Sequence, residues 1–368
     1  MKQWKQKISA VVFLVFLVSC SVAFLLLPKL EVSRNEKRVL ATFPKPELSA
    51  ITDGSYGQLL ENYLTDHFPG REFWVGVNAY KNLLMGGNGL SGIYYGSDGF
   101  LIAAPGAWNE KQASLNIDRF RTFGEKLGLP MAVMPVPSAG YALNDKLPAN
   151  HQTYWDDSLY ALLEQSAGEM TVIDLRSTFM GQGDYYYRTD HHLTGAGSYR
   201  MYLAYCEALG LTPEEFAKSQ TSDGFYGTGY AKSGLWLTKP DTLEIWTAKK
   251  PGTYKVTIGD NNYDSLYFTD HLSELDQYPV FLDGNHPLVQ VENAACQNGR
   301  RLLLIKDSYA HCFATFAIEH YEEIVMVDLR YYRGDVKALA EEAGCTELLY
   351  LYGVENLTAS TDTFWLNR

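Results

Sequence analysis

The run Leu302-Leu303-Leu304-Ile305 constrains the fold more than any other stretch of this 368-residue chain. Four consecutive apolar residues without alternation, closed by Lys306-Asp307, read as a strand buried on both faces. Such a strand needs helices on either side, which predicts a parallel sheet between two helical layers. The rest of the chain keeps that rhythm. Helices are expected over 114–127, 158–169, 309–320 and 336–343, and strands over 130–135, 171–175, 324–327 and 348–351. Thr194 is placed to cap a helix running to Leu209, and Gly210 to end it. Residues 54–90 look helical with a break at Phe68-Pro69-Gly70-Arg71, and 94–101 reads as a hairpin turn. One stretch departs from the pattern: about 223–295, rich in Gly, Tyr, Trp and Thr, reads as a β-rich insertion. The fold class is therefore α/β, three layers deep, with a mostly parallel sheet.

The N-terminus carries Lys2, Lys5 and Lys7, then an unbroken apolar stretch from Ile8 to Pro28. About 20 uncharged residues suffice to span a bilayer as a helix. A cleaved signal peptide wants a shorter core and a small-x-small site, which is not evident. Leu17-Val18-Ser19-Cys20 resembles a lipobox, but the apolar run continues through Leu27. The expected organisation is an anchor over 1–28, a juxtamembrane linker over 29–53 and one domain over 54–368. Lys29, Arg34, Lys37 and Arg38 balance the N-terminal lysines. Orientation therefore rests on the short N-terminus and single span, which favour an extracytoplasmic domain at the cell membrane.

The net charge of −12 lacks the basic footprint that nucleic acid needs. The five cysteines form no C-x-x-C pair or zinc knuckle and are expected as free thiols. Aromatic residues make up 14% of the chain and include 26 Tyr, which suits sugar binding as well as an ordinary Tyr-rich core.

Two motifs carry chemistry. Asp190-His191-His192 immediately precedes a helix, where open α/β sheets keep their sites. Residues i and i+2 of an extended segment share a face, so Asp190 would lie beside His192, fixing its tautomer and stabilising the imidazolium. Lys306-Asp307-Ser308-Tyr309-Ala310 follows the apolar strand. Ser308 there has a helix N-terminus at hand to hold a developing oxyanion. Its hydroxyl needs a base, and His192 is the candidate. Each motif has a plainer reading. Asp-Ser at a helix start is commonly an N-cap. Asp190, His191 and His192 could ligate a metal, with His311, Cys312 and His320 as further donors. Three adjacent ligands crowd one ion, however, and His311 and His320 read as helix-surface residues. No metal and no cofactor is expected.

The Asp-His-His followed by Leu193 and Thr194 resembles the DHHW protein family, as does the Lys-Asp-Ser-Tyr-Ala block. The resemblance extends to the N-terminal anchor, Phe68-Pro69-Gly70-Arg71, Tyr95-Gly96-Ser97-Asp98-Gly99, Gly284-Asn285-His286-Pro287 and Val327-Asp328-Leu329-Arg330-Tyr331-Tyr332. That family is similar to the SGNH-hydrolase-like proteins of alginate and cell-wall polysaccharide O-acetylation. The resemblance implies an SGNH-like fold, Ser308 as nucleophile, His192 as general base and Asp190 as its orienting acid. It further implies O-acetyl transfer on an extracytoplasmic polysaccharide, fed by a membrane-bound O-acyltransferase. Leu193 replaces the family's Trp, which removes a stacking wall. Asn285, Arg330, Tyr141 and Tyr309 are the oxyanion or substrate contacts that go with this reading. Asn285 can equally be a turn residue and Arg330 an ion-pair partner. Three rivals stand beside it: an acetylesterase with water as acceptor, a non-catalytic polysaccharide-binding scaffold, and a metal-dependent protein.

Overall fold

The computed structural model describes residues 2–367. The chain divides into two compact units, one joining Met1–Leu90 with Tyr230–Leu237, the other taking Ser91–Gly229 and Thr238–Arg368.

In the first unit, helix α1 (Lys2–Leu26) contains a 21-residue candidate membrane span, Gln6–Leu26. The segment expected as a linker holds a two-stranded hairpin, Val32–Ser33 with Arg38–Val39, and a one-turn helix, Leu48–Thr52. Helices α2 (Ser55–Asp66) and α3 (Arg71–Leu84) follow, broken at Gly70, whose φ of 68° is left-handed. The compact unit runs past residue 53, where the linker was expected to end, to Leu90. Residues 55–84 pack with 230–237 instead: Trp236 Nε1 donates to the Glu72 carbonyl at 3.0 Å. The missing side chain of Gly76 leaves room for the Trp236 ring, which would lie 3.0 Å from a Cβ there.

The second unit is built on an eight-stranded sheet. Its strands in chain order are β1 (Met131–Val136), β2 (Thr171–Val172), β3 (Tyr254–Ile258), β4 (Asn261–Tyr263), β5 (Leu288–Asn293), β6 (Arg301–Lys306), β7 (Glu323–Val327) and β8 (Glu347–Gly353). Across the sheet the order is β4-β3-β5-β7-β6-β8-β1-β2. The five strands from β7 to β2 run parallel, whereas β5, β3 and β4 pair antiparallel. The sheet is thus mixed, and the insertion is less separate than its composition suggests. Part of it forms an outlying ribbon, Phe216–Phe225 with Asp241–Ala248, and the rest extends the sheet edge. Edge addition satisfies the backbone groups that β7 would otherwise leave unpaired.

β6 has the two-faced burial its sequence predicts. Leu302 and Leu304 enter one core, Leu303 and Ile305 the other. The first core is covered by α6 (Gly195–Leu209) and α7 (Ala310–Ala317), through Met201, Tyr202, Tyr205, Phe313 and Phe316. The second takes Ile117 and Phe120 of α4 (Glu110–Leu127), Leu159 and Leu163 of α5 (Asp156–Ser166), and Val336 and Ala340 of α8 (Val336–Glu342). Thr194 caps α6 by accepting from Gly197 N–H, and Gly210 ends it at φ 66°. The crossovers that leave β6 and β7 pass to opposite faces of the sheet. Ser308 follows the carboxyl end of β6, the side on which open α/β sheets usually keep their sites.

Candidate active site

The Asp-His-His segment is a loop closed on itself. Tyr186 and Leu193 form an antiparallel bridge, and Tyr187 N–H donates to the His192 carbonyl at 3.2 Å. Leu193 is buried in the core, so the loop hangs from an apolar peg. Within it, His192 N–H donates to Asp190 Oδ1 at 3.0 Å, an Asx-type turn. The two side chains thus meet through a turn and not along an extended strand.

His192 Nδ1–H donates to Asp190 Oδ1 at 2.5 Å, and Ser308 Oγ donates to His192 Nε2 at 2.7 Å. An ionised carboxylate only accepts, which puts the ring proton on Nδ1 and leaves the Nε2 lone pair for the hydroxyl. Burial alone would raise the Asp190 carboxyl, yet His191, His192 and the Thr228 N–H hold it well below the usual carboxylate range. Thr228 N–H donates to Asp190 Oδ2 at 2.7 Å and its hydroxyl at 3.1 Å. Its neighbour must be glycine, because a Cβ at Gly227 would lie 2.4 Å from Asp190 Oδ2. The sequence Gly227-Thr228-Gly229 was the available sign of this contact, small residues flanking a hydroxyl.

Aromatic rings hold the imidazole in place. Tyr278, from the insertion, stacks on His192 at 3.9 Å with an interplanar angle of 15°. Tyr309 meets it edge-on at 5.2 Å and donates its hydroxyl to the His191 carbonyl at 2.8 Å. The third ring, His191, lies 3.9 Å from His192 and keeps Nδ1 on the Thr228 hydroxyl. Nothing in the local sequence marked Tyr278.

Asp307 braces the Ser308 loop. One oxygen accepts from Tyr309 N–H, the other from Gly353 N–H at 2.8 Å and Asn356 Nδ2 at 2.7 Å. Among the described residues nothing accepts the Ser308 backbone N–H. Beneath the loop, Lys306 Nζ donates to His311 Nε2 at 2.7 Å and to Asp328 Oδ2 at 3.2 Å. His311 is therefore no surface residue: every residue of α7 is buried, because one side packs on the sheet and the other on α6. Burial and the Lys306 charge push its pKa well down. His320 is half-buried against the Tyr202 hydroxyl at 2.7 Å.

The remaining predicted contacts are engaged with other side chains. Arg330 clasps Asp328 at 2.6 and 2.9 Å and donates to Asn285 Oδ1 at 2.9 Å. Tyr141 donates to Asp157 Oδ1 at 2.6 Å. The five cysteines are free thiols.

The metal reading can be weighed on the same atoms. Ligand atoms of Asp190, His191 and His192 lie within 4.8 Å of one another. Both His192 nitrogens and both Asp190 oxygens already have partners, so an ion there would have to break the Asp-His-Ser line.

Asp156 stands at the carboxyl end of β1. Its Oδ1 accepts from Ser138 N–H at 2.8 Å, while its buried Oδ2 has no partner among the described residues. Burial pushes its pKa up to about 7 from 3.8. A raised folded-state pKa means stability present below the unfolded value and lost as pH rises to the folded one. Asp156→Asn is therefore expected to gain stability over the parent between pH 4 and 7, by up to about 4 kcal/mol, and to level off above. Unfolding of the full chain at several pH values checks this; a pH-independent difference contradicts it.

A family model now bears on this geometry. Residues 148–327 match the DHHW protein family. That span contains the Asp190–His192 loop and Ser308. The fold agrees with three solved structures. A DHHW family protein from Eubacterium siraeum superposes with a TM-score of 0.62 at 23% identity, covering 74% of this chain and 93% of that one. PatB1 of Bacillus cereus, solved with a sulfonyl adduct, gives 0.61 at 20%, covering 73% and 96%. The O-acetyltransferase domain of Pseudomonas putida AlgJ gives 0.50 at 16%, covering 73% and 93%. Comparison with curated protein sequences finds no match.

Proposed function

We propose that this DHHW-type chain is an SGNH-like serine O-acyltransferase, moving an acetyl group onto a hydroxyl of an extracytoplasmic polysaccharide. The observation that carries the reading is the hydrogen-bonded line Asp190–His192–Ser308, at 2.5 and 2.7 Å. In the reaction Ser308 Oγ attacks the acyl carbonyl as His192 Nε2 takes the hydroxyl proton. Asp190, held as an anion, stabilises the imidazolium. The Ser308 N–H offers itself to the oxyanion, since it has no acceptor of its own among the described residues. Collapse returns the proton to the leaving group and leaves an acyl ester on Ser308. A sugar hydroxyl then attacks this ester, His192 takes its proton, and Ser308 leaves with the proton regained. Both half-reactions balance without a cofactor. The sugar acceptor accords with the likeness to the O-acetyltransferase domain of AlgJ. A membrane-bound O-acyltransferase as acetyl donor, and α1 as the anchor that keeps the domain near it, complete the proposal.

Trapping tests it most directly. Ser308 Oγ should attack the sulfur of an arylsulfonyl fluoride, give its proton to His192 and displace fluoride ion, leaving one sulfonate ester found by peptide mass spectrometry. The adduct should be absent in His192→Ala, because the hydroxyl is unreactive at its free pKa. Modification elsewhere with Ser308 untouched would sink the nucleophile assignment.

A further inference from the structure

Bulky apolar side chains are exposed in an uneven way. Among the described residues outside α1, the first unit exposes seventeen of them, while the second unit, with more than twice the residues, exposes six. Many belong to α3, which is inside out for a helix of a water-soluble domain. Its small residues Gly76 and Ala79 are the buried ones, packed towards Trp236 and Gly234. Phe73, Trp74, Val77 and Leu84 face outward, Leu84 at 87% exposure, with Met85 beyond at 76%. A surface helix normally turns its large apolar residues in and its polar residues out. Between α2 and α3 runs an open groove of about 790 Å³ lined by Leu60, Leu64, Phe68, Trp74 and Val75.

Two ring contacts indicate what covers this face. Phe24 of α1 meets Tyr63 of α2 at 6.1 Å, and Phe16 of α1 meets Trp74 of α3 at 6.1 Å. Phe16 lies ten residues before Leu26, about 15 Å along a helix, or roughly half the thickness of a bilayer's hydrocarbon core. If α1 crosses the membrane, the first turn of α3 sits at the level of acyl chains. The charges flanking the first turn of α3 are paired, Arg38 with Glu36 and Asp66 and Arg71 with Glu36, while Glu61 and Lys81 are exposed. The overall balance agrees. Residues 29–90, beyond the span, hold seven Lys and Arg against seven Asp and Glu, net zero; with +3 from Lys2, Lys5 and Lys7 at its start, the total of −12 leaves −15 for residues 91–368. An acidic surface is repelled by anionic lipid, and the first unit is not.

We propose that α2 and α3 form a second membrane-binding element, with the Phe73–Val77–Leu84 face of α3 embedded in the lipid of the leaflet beside the span. The proposal rests on α1 spanning the bilayer, and one experiment separates the two. The full chain is reconstituted into phosphatidylethanolamine–phosphatidylglycerol vesicles carrying a phospholipid with a photoactivatable acyl chain. After illumination, lipid adducts are mapped by peptide mass spectrometry. Adducts are expected in 71–85 as well as in 6–26. In Phe73→Glu/Leu84→Glu the adducts in 71–85 should be lost while those in 6–26 persist. Adducts confined to 6–26 in the parent chain would overturn the proposal and leave the span intact. No adducts in 6–26 would instead remove the span. Chain-to-chain cross-links through 71–85 without lipid adducts would overturn the proposal in favour of a second copy.

Discussion

Ser308→Ala is expected to lower acyl transfer, or hydrolysis of a small aryl acetate, by on the order of 10⁴- to 10⁶-fold in kcat. In the proposed reaction the hydroxyl is the atom acylated, and among the described residues no other side chain bonds to His192 Nε2. His192→Ala should cost a similar factor, and the double variant little more than either single one, because the residues act as a unit. Asp190→Asn should cost less, about 10⁴-fold, by favouring the wrong imidazole tautomer. The fold should hardly notice the serine change: Ser308 is half-buried and its hydroxyl makes one hydrogen bond to a side chain. Thermal unfolding of the same samples separates lost chemistry from lost structure. Activity in Ser308→Ala within tenfold of the parent would rule out the acyl-serine intermediate, and loss with a chelator would point to the metal reading instead.

Asp328→Ala should produce the largest loss of stability, about 3–5 kcal/mol, the usual range for removing one partner of a buried ion pair. The side chains of Asp328 and Lys306 are both fully buried. Burial alone would raise the Asp328 carboxyl, but Arg330 and Lys306 hold it below the usual range. Without it, the His311 hydrogen bond is the one Lys306 retains among the described residues, in a place where burial already disfavours its charge. A depressed carboxyl pKa contributes stability that is present above its unfolded value and lost as pH falls through its folded one. The difference between Asp328→Ala and the parent should therefore shrink in acid. Lys306→Met/Asp328→Leu should recover much of the loss, since apolar replacement removes both desolvation penalties. Denaturant unfolding of the full chain reads all three. A single-variant loss below about 1 kcal/mol would mean the pair is hydrated and not buried.

Local physics made much of this protein legible from its residues. A short apolar run of four residues closed by charge reads as a strand covered on both sides, and Arg301–Lys306 is one. Thr194 and Gly210 bound α6 because a hydroxyl acceptor and a left-handed glycine are local solutions to unpaired helix ends. The loops bearing Asp190–His192 and Ser308 could be placed for the same reason, each lying at a junction with a helix. What the residues could not tell is set by contacts between distant parts of the chain. His192 and Ser308 are 116 residues apart, and their 2.7 Å bond exists because α6 and α7 pack on the same face of the sheet. Thr228 and Tyr278 complete the site from an insertion that looked independent. His311, read as a surface residue, is buried because α7 has neighbours on both sides. A helix of eight residues records its own propensity in its sequence; which of its faces meets water depends on what the rest of the chain lays against it.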